Sequence, residues 1–193
     1  GEFVEESESL LQSAEGGRAL PAIACLFGRT LSAWHRTAAP GKLGEHLGKR
    51  IPKRVPSETL DRARALGSTS TVEDLRRRFE KCELMDVRLG RIHGDLHARN
   101  VRIRGGDAVI IDIVALQHGP LVWDPACLEA SLLVDGFTDD TRELERWFES
   151  INSCYERPIF DFWSHGHLSD RSSWFHLCVN QIRLYAAQMA TPE

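Results

Sequence analysis

The residues best equipped for chemistry lie close together, in His93-Gly94-Asp95-Leu96-His97-Ala98-Arg99-Asn100 and the following Ile110-Ile111-Asp112. Asp95 is an acid that could orient a hydroxyl and take its proton late in a transfer. Asn100 offers a neutral oxygen and Asp112 an anionic one, a pair suited to Mg²⁺, which keeps several waters and takes further ligands from phosphates. An acid, an amide and a second acid in this order are what phosphoryl transfer of the kinase type requires. A different chemistry is open to the same stretch. On an extended segment His93, Asp95 and His97 face one way, an N, O, N donor set suited to zinc or iron in a metal-dependent hydrolase. No second His/Asp cluster of that quality follows, and His165-Gly166-His167, beyond Phe160, Phe162 and Trp163, reads as a surface loop.

The segment from Ile92 to Glu129 resembles the catalytic core of the aminoglycoside phosphotransferase and choline kinase-like superfamily. That family's pattern is H-G-D-x-H-x-x-N, then an I-D-F-type acid, then G-x-x-x-x-D-L-A. Here the counterparts are His93 to Asn100, Ile111-Asp112-Ile113, and Gly119-Pro120-Leu121-Val122-Trp123-Asp124-Pro125-Ala126. Upstream, Leu26 to His35 is similar to a helix the family carries early in its C-terminal lobe. The resemblance implies an α+β, predominantly helical fold: the C-terminal lobe of a protein kinase-like protein, with a small β-hairpin carrying the metal-site residues. It implies ATP and Mg²⁺ as cofactors, Asp95 as base, and Asn100 and Asp112 as Mg²⁺ ligands, with the γ-phosphate passing to a hydroxyl of a small molecule or protein. His93 and His97 become supporting residues. Asp124 becomes an anchor of the loop or, as an Asp before Pro, a cap of the helix that starts there. Two positions depart from the pattern. Ile113 replaces the usual Phe, and Arg102 stands where similar sequences place an apolar residue, the floor of the adenine pocket. A guanidinium there either stacks on the base or spoils the pocket.

A kinase also needs a glycine-rich loop over the phosphates, a strand Lys and a helix Glu to hold that Lys. No valine-rich strand pair with an intervening glycine turn precedes His93, and Gly16-Gly17 reads as a loop before a helix. Gly1-Glu2-Phe3 resembles a cloning scar. The expected organisation is a scar and hinge or linker remnant over 1–17 and the C-terminal lobe over 18–193, with the ATP-clasping N-terminal lobe upstream in the parent protein or lost. Such a fragment is expected to be inactive alone. Its partners would be a nucleotide, a hydroxyl-bearing acceptor and the upstream lobe. The alternative is a pseudokinase-like interaction module of a larger protein.

Composition narrows the class further. The 193 residues carry a net charge of −4, which argues against general nucleic-acid affinity. No apolar run approaches a membrane span, and no signal-peptide pattern opens the chain. Cys25, Cys82, Cys127, Cys154 and Cys178 are scattered and never form C-x-x-C, so reduced, mostly buried thiols in a cytoplasmic protein are expected.

The elements that must position the candidate residues are mostly helical. Leu20, Ile23, Leu26, Phe27, Leu31 and Trp34 recur at helical steps from about Arg18 to His35, giving one buried stripe. Arg36 to Pro56 reads as a loop broken by Pro40-Gly41, Gly44, Gly48, Pro52 and Pro56, and it gathers Lys42, Lys49, Arg50, Lys53 and Arg54. Ser57 and Thr71 are candidate caps of two helices, the second with Val72, Leu75, Phe79 and Cys82 on its apolar face. Val101 to Arg104 and Ala108 to Asp112 form a hairpin around Gly105-Gly106-Asp107. Strand alternation puts Arg102 on the side of Asn100, exposed, with Val101 and Ile103 in the core. Helices follow over Pro125 to Val134, Asp139 to Asn152 and Ser172 to Met189.

Overall fold

Two strands of four residues, β4 (Val101–Arg104) and β5 (Asp107–Ile110), form the hairpin expected from the paired glycines. Gly105 and Gly106 hold φ of 58° and 87°, the left-handed pair a two-residue turn of this hand requires. This computed structural model describes residues 6–47, 54–65, 67, 69–82, 85–136, 147–149, 151–152, 154–155 and 173–190. The hairpin is part of a larger arrangement than expected, because two three-stranded antiparallel sheets are present. In the first, a two-residue strand β1 (Glu8–Ser9) adds to β4, giving the order β1-β4-β5. In the second, β2 (Ala39–Lys42), β3 (Asp86–Ile92) and β6 (Gln117–Pro120) pair in the order β2-β3-β6.

Part of the stretch expected as linker remnant belongs to the folded body. Directly after β1, helix α1 (Leu10–Glu15) starts with a capping box in which Ser9 Oγ accepts from the Gln12 amide and Gln12 Oε1 accepts from the Ser9 amide. Leu10 and Ala14 are buried because apolar residues three and four apart share a helix face. The next helix, α2, runs through Ala19–Cys25, a π-helical turn Leu26–Leu31 and Ser32–His35. Within this widened stretch Ser32 Oγ donates to the Gly28 carbonyl, four residues back, at 2.7 Å. Ile23, Leu26, Phe27 and Leu31 form the buried stripe expected from their spacing.

The region expected as a loop contains β2 and a short helix α3 (Gly44–Leu47). Pro40 and Gly41 did not prevent a strand because β2 lies at a sheet edge, where a missing N–H donor is tolerated. Of its basic residues, Lys42 pairs with Asp86 at 2.6 Å, while Lys49, Arg50 and Lys53 lie outside the described residues. Helices α4 (Ser57–Ala65) and α5 (Val72–Glu80) follow. Thr71 caps α5, its hydroxyl accepting from the Asp74 amide while Asp74 accepts from the Thr71 amide. On the expected apolar face of α5, Leu75 remains 43% exposed.

The core is built from α1, α2, the inner face of β4 and β5, and two further helices, α6 (Trp123–Asp135) and α7 (Ser173–Ala190). Residues 147–149 and 151–152 are helical, and the rest of the helix expected from Asp139 to Asn152 lies outside the described residues, as does His165-Gly166-His167. Trp147 stacks on Trp174 at 5.5 Å and meets the Phe175 ring edge-on at 5.2 Å. Arg183, buried on α7, makes a two-pronged pair with Glu129 on α6, at 2.6 and 3.0 Å, and donates to the Cys154 carbonyl at 2.9 Å. All five cysteines are free, two buried and three half-buried. Burial pushes the Cys154 and Cys178 thiols up to about 11 and about 12, so they stay protonated and unreactive. No helix among the described residues is long and apolar enough to cross a membrane.

Candidate active site

The loop between β3 and β4 is held from below by α6. Asp124, fully buried, accepts the backbone amides of His93 at 2.7 Å and Gly94 at 2.9 Å, one on each carboxylate oxygen. A desolvated carboxylate is tolerable only with such partners, and its place in the first turn of α6 adds the favourable end of the helix dipole. Asp124 is therefore an anchor and not a cap: α6 begins two residues earlier than the Asp-Pro pair suggests, with Val122 at the capping position and no side-chain cap bond. Two more residues of this region grip the loop. Trp123 Nε1 donates to the Gly94 carbonyl at 3.3 Å, and Ser131 Oγ accepts the Ala98 amide at 2.8 Å. Neither position carries a signal that sequence reasoning could have used, since a Trp and a Ser on a helix are ordinary.

Gly94 holds φ of 87°, and a Cβ placed on it would lie 2.7 Å from the Ala115 carbonyl oxygen. Only glycine fits there, which accounts physically for the Gly in the motif.

His93 couples the two halves of the motif. Its ring is fully buried, with Nδ1 accepting the Asp95 amide at 3.3 Å and Nε2 lying 3.0 Å from the Ile111 carbonyl oxygen. Because Nδ1 accepts, the proton sits on Nε2 and is donated to Ile111. The imidazole thus ties the residue before Asp112 to the backbone of Asp95. Asn100, also buried, completes the junction: its side-chain amide donates to the Asp95 carbonyl at 3.0 Å, and its own carbonyl accepts the Ile111 amide at 2.9 Å. Asp95, Asn100 and Asp112 therefore belong to one connected cluster, bridged by His93 and Ile111.

The charged groups themselves face outward. The Asp95 side chain is 65% exposed, and His97 Nε2 lies 4.0 Å from its Oδ2. Asp112 is exposed and sits at φ 56°, ψ 54°, the single non-glycine residue with positive φ among the described residues. Asp tolerates the left-handed region better than most residues, yet the conformation costs energy, and such strain gathers at functional positions. Arg102 is half-buried, not open as expected, while Val101 and Ile103 are buried as strand alternation requires. The segment before β1 covers it: its Nε donates to Ser7 Oγ at 3.0 Å and its Nη2 to the Ser7 carbonyl.

Donor chemistry separates the two kinds of metal site considered. Both ring nitrogens of His93 are occupied within the protein, so it has no lone pair to offer zinc or iron, and among the described residues no group of three His, Cys, Asp or Glu side chains is disposed to hold a metal ion. Asn100 spends its nitrogen on the Asp95 carbonyl, which leaves the amide oxygen as the end that could ligate a metal. One neutral and one anionic oxygen fit Mg²⁺, which takes few protein ligands.

A mixed α/β fold of helices and two small three-stranded sheets, with a buried His and Asp pinning a loop that presents an exposed acid, is consistent with the kinase-like class. The chain matches the phosphotransferase enzyme family over residues 4–163, and it belongs to that family, in keeping with its aminoglycoside phosphotransferase-like motifs. No curated protein and no solved structure matches it.

Proposed function

We propose that the chain is the metal- and acceptor-binding lobe of an ATP-dependent phosphotransferase that moves the γ-phosphate to a hydroxyl. Asp95 orients that hydroxyl and accepts its proton, Asn100 and Asp112 ligate Mg²⁺, and Mg²⁺ when bound neutralises charge on the phosphates. His93 and Asp124 touch no reactant and hold the loop. The observation that carries this reading is the His93 ring, which joins Asp95 and the residue before Asp112 through its two nitrogens and so makes one site of two separate segments. The same hydrogen bonds oppose a hydrolase built on His93, Asp95 and His97.

Positioning and charge stabilisation supply most of the rate in this chemistry, so the groups that clasp the β- and γ-phosphates must come from a second lobe. The test is phosphotransfer from ATP by this chain alone and by the protein carrying its upstream region, each beside Asp95→Asn. Turnover is expected only with the upstream region present, and Asp95→Asn should abolish it. Turnover by the longer protein that survives Asp95→Asn would overturn the assignment of the base.

A further inference from the structure

Arg91, near the end of β3, is exposed and unpaired. Arg18, Arg29, Arg64, Arg99 and Arg104 each pair with a carboxylate, whereas the Arg91 side chain makes no ion pair or hydrogen bond with a described residue. In register Arg91 opposes His118 of β6, and directly opposed residues of an antiparallel pair share a face, with Cβ atoms about 5 Å apart. His118 is exposed as well, and the half-buried His46 of α3 brings its ring within 6.3 Å of the His118 ring, centroid to centroid. Three elements thus contribute a guanidinium and two imidazoles to one place. The next opposed pair on that face, Leu89 with Pro120, is buried.

The donors select the ligand. Among the described residues no group of three His, Cys, Asp or Glu side chains is disposed to hold a metal ion, and the Arg91 charge repels a cation from the two imidazoles. The guanidinium offers N–H donors in a planar fork that suits a carboxylate or a phosphate. An imidazole N–H donates in either charge state.

Both strands of this pair run into the candidate active site. Beyond Ile92, the chain passes through His93 and Gly94 to Asp95, so the backbone separates Arg91 from Asp95 by at most about 14 Å. Strand β6 follows the turn that starts at Asp112, and Gln117, next to His118, rests against the loop. Its Nε2 donates to the Ala115 carbonyl at 3.2 Å, and a Cβ on Gly94 would strike its side-chain amide.

With the proposed function as the premise, we propose that Arg91, with His118 and His46, binds an anionic group of the acceptor, a carboxylate or a phosphate, while a hydroxyl of the same molecule meets Asp95. The acceptor is then itself an anion, which the exposed acids Asp95 and Asp112 alone would repel. Neutral and cationic hydroxyl compounds forgo the contact, so the arginine determines specificity.

The experiment is an NMR titration of the ¹⁵N-labelled chain at constant ionic strength with inorganic phosphate, acetate, glucose 6-phosphate, glucuronate and glucose. Phosphate or acetate should shift the Arg91 Nε–H and His118 signals along one saturable curve, and the tighter of the two identifies the anionic group. Arg91→Gln should weaken that binding roughly tenfold or more, Arg91→Lys by less because it keeps the charge and loses the fork, and the surface control Arg29→Gln not at all. His118→Ala, on the opposite strand, should weaken it as well, which keeps the test decisive if one variant misfolds. Glucose 6-phosphate or glucuronate should also shift the Asp95 amide and bind roughly tenfold or more tightly than glucose. No saturable shift at Arg91 with either simple anion, or equal weakening by Arg29→Gln and Arg91→Gln, would overturn the anion site. Binding at Arg91 without a shift at Asp95 from either sugar anion would overturn its tie to the acceptor. Both failures leave the proposed function standing. Conversely, turnover by the longer protein that survives Asp95→Asn would remove the assigned base and with it the acceptor role, and anion binding at Arg91 would persist.

Discussion

His35, at the end of α2, makes the fold sensitive to acid. Its side chain is 7% exposed and its Nε2 is buried with no hydrogen-bond partner. Burial, with the Arg88 charge adding to it, lowers its pKa from 6.5 to about 4. The folded state therefore binds fewer protons at this site than the unfolded chain between those two values, so stability must fall as the pH drops through that window. The stabilising contribution is fully present above pH 6.5, declines below it, and is lost in full once the pH reaches about 4. At pH 5 the unfolded imidazole is almost wholly charged and the folded one almost wholly neutral, a difference worth about 2 kcal/mol relative to pH 7.5, rising to about 3 kcal/mol at the acid limit. Against a total stability of roughly 5–15 kcal/mol this is a visible fraction. Urea unfolding at pH 7.5 and pH 5.0 should show it, and His35→Leu, whatever its own stability, should lose about 2 kcal/mol of the pH-dependent difference. Contributions common to both proteins cancel in the comparison. Equal pH dependence in the two, within about 0.5 kcal/mol, would refute the reasoning, because it would mean the buried imidazole finds a partner or solvent when charged.

Other perturbations test the site and its support. Asp124→Asn leaves one of two backbone amides facing an NH₂ group, and urea unfolding should show a loss of about 1.5–3 kcal/mol; an effect below about 0.5 kcal/mol would mean the anchor is dispensable. Asp112→Gly relieves the left-handed strain, so thermal unfolding should show unchanged or higher stability, by up to about 1 kcal/mol, while Mg²⁺-dependent nucleotide binding is lost. Arg183→Met strands the Glu129 carboxylate in a largely buried position and should cost about 3–5 kcal/mol in denaturant unfolding, with most of it recovered when Glu129→Gln is added.

The candidate site residues could be picked out in the sequence because their spacing is local. Asp95 and Asn100 lie in one loop, and Asp112 returns beside Asn100 through a turn that Gly105-Gly106 announces. Helix α2 was legible for the same reason, since its stripe repeats within one segment. The sheet β2-β3-β6 was not. Its strands come from three distant parts of the chain, and no local pattern encodes a pairing of Ala39 with Leu89 or of Leu89 with Pro120. Gly90 and Gly41 interrupt the alternation that would have marked β2 and β3. They are there for close approach: a Cβ on Gly90 would press 2.9 Å from a Leu121 methyl, and one on Gly41 would meet the Leu89 side chain. Asp124 was read as an anchor or a cap, and only the position at which α6 begins decides between them.

Burial divides the motif by task. His93 and Asp124 are enclosed, Asn100 nearly so, and each bonds to backbone: Asp124 to two amides, His93 to one amide and one carbonyl, Asn100 to one carbonyl through its side-chain nitrogen. Asp95 and Asp112, the two acids open to a ligand, stand in solvent. Burying those two without partners such as Asp124 has would cost several kcal/mol per ion in desolvation and would keep them from an external nucleotide. With the neutral imidazole and the paired carboxylate inside, the backbone under both exposed acids is fixed before a ligand binds. That rigidity matters most in a chemistry where placement, more than bond-making by the protein, lowers the barrier. On the proposed function, loosening the anchor should degrade activity before it unfolds the chain: Asp124→Asn should lower phosphotransfer at temperatures where the variant remains folded.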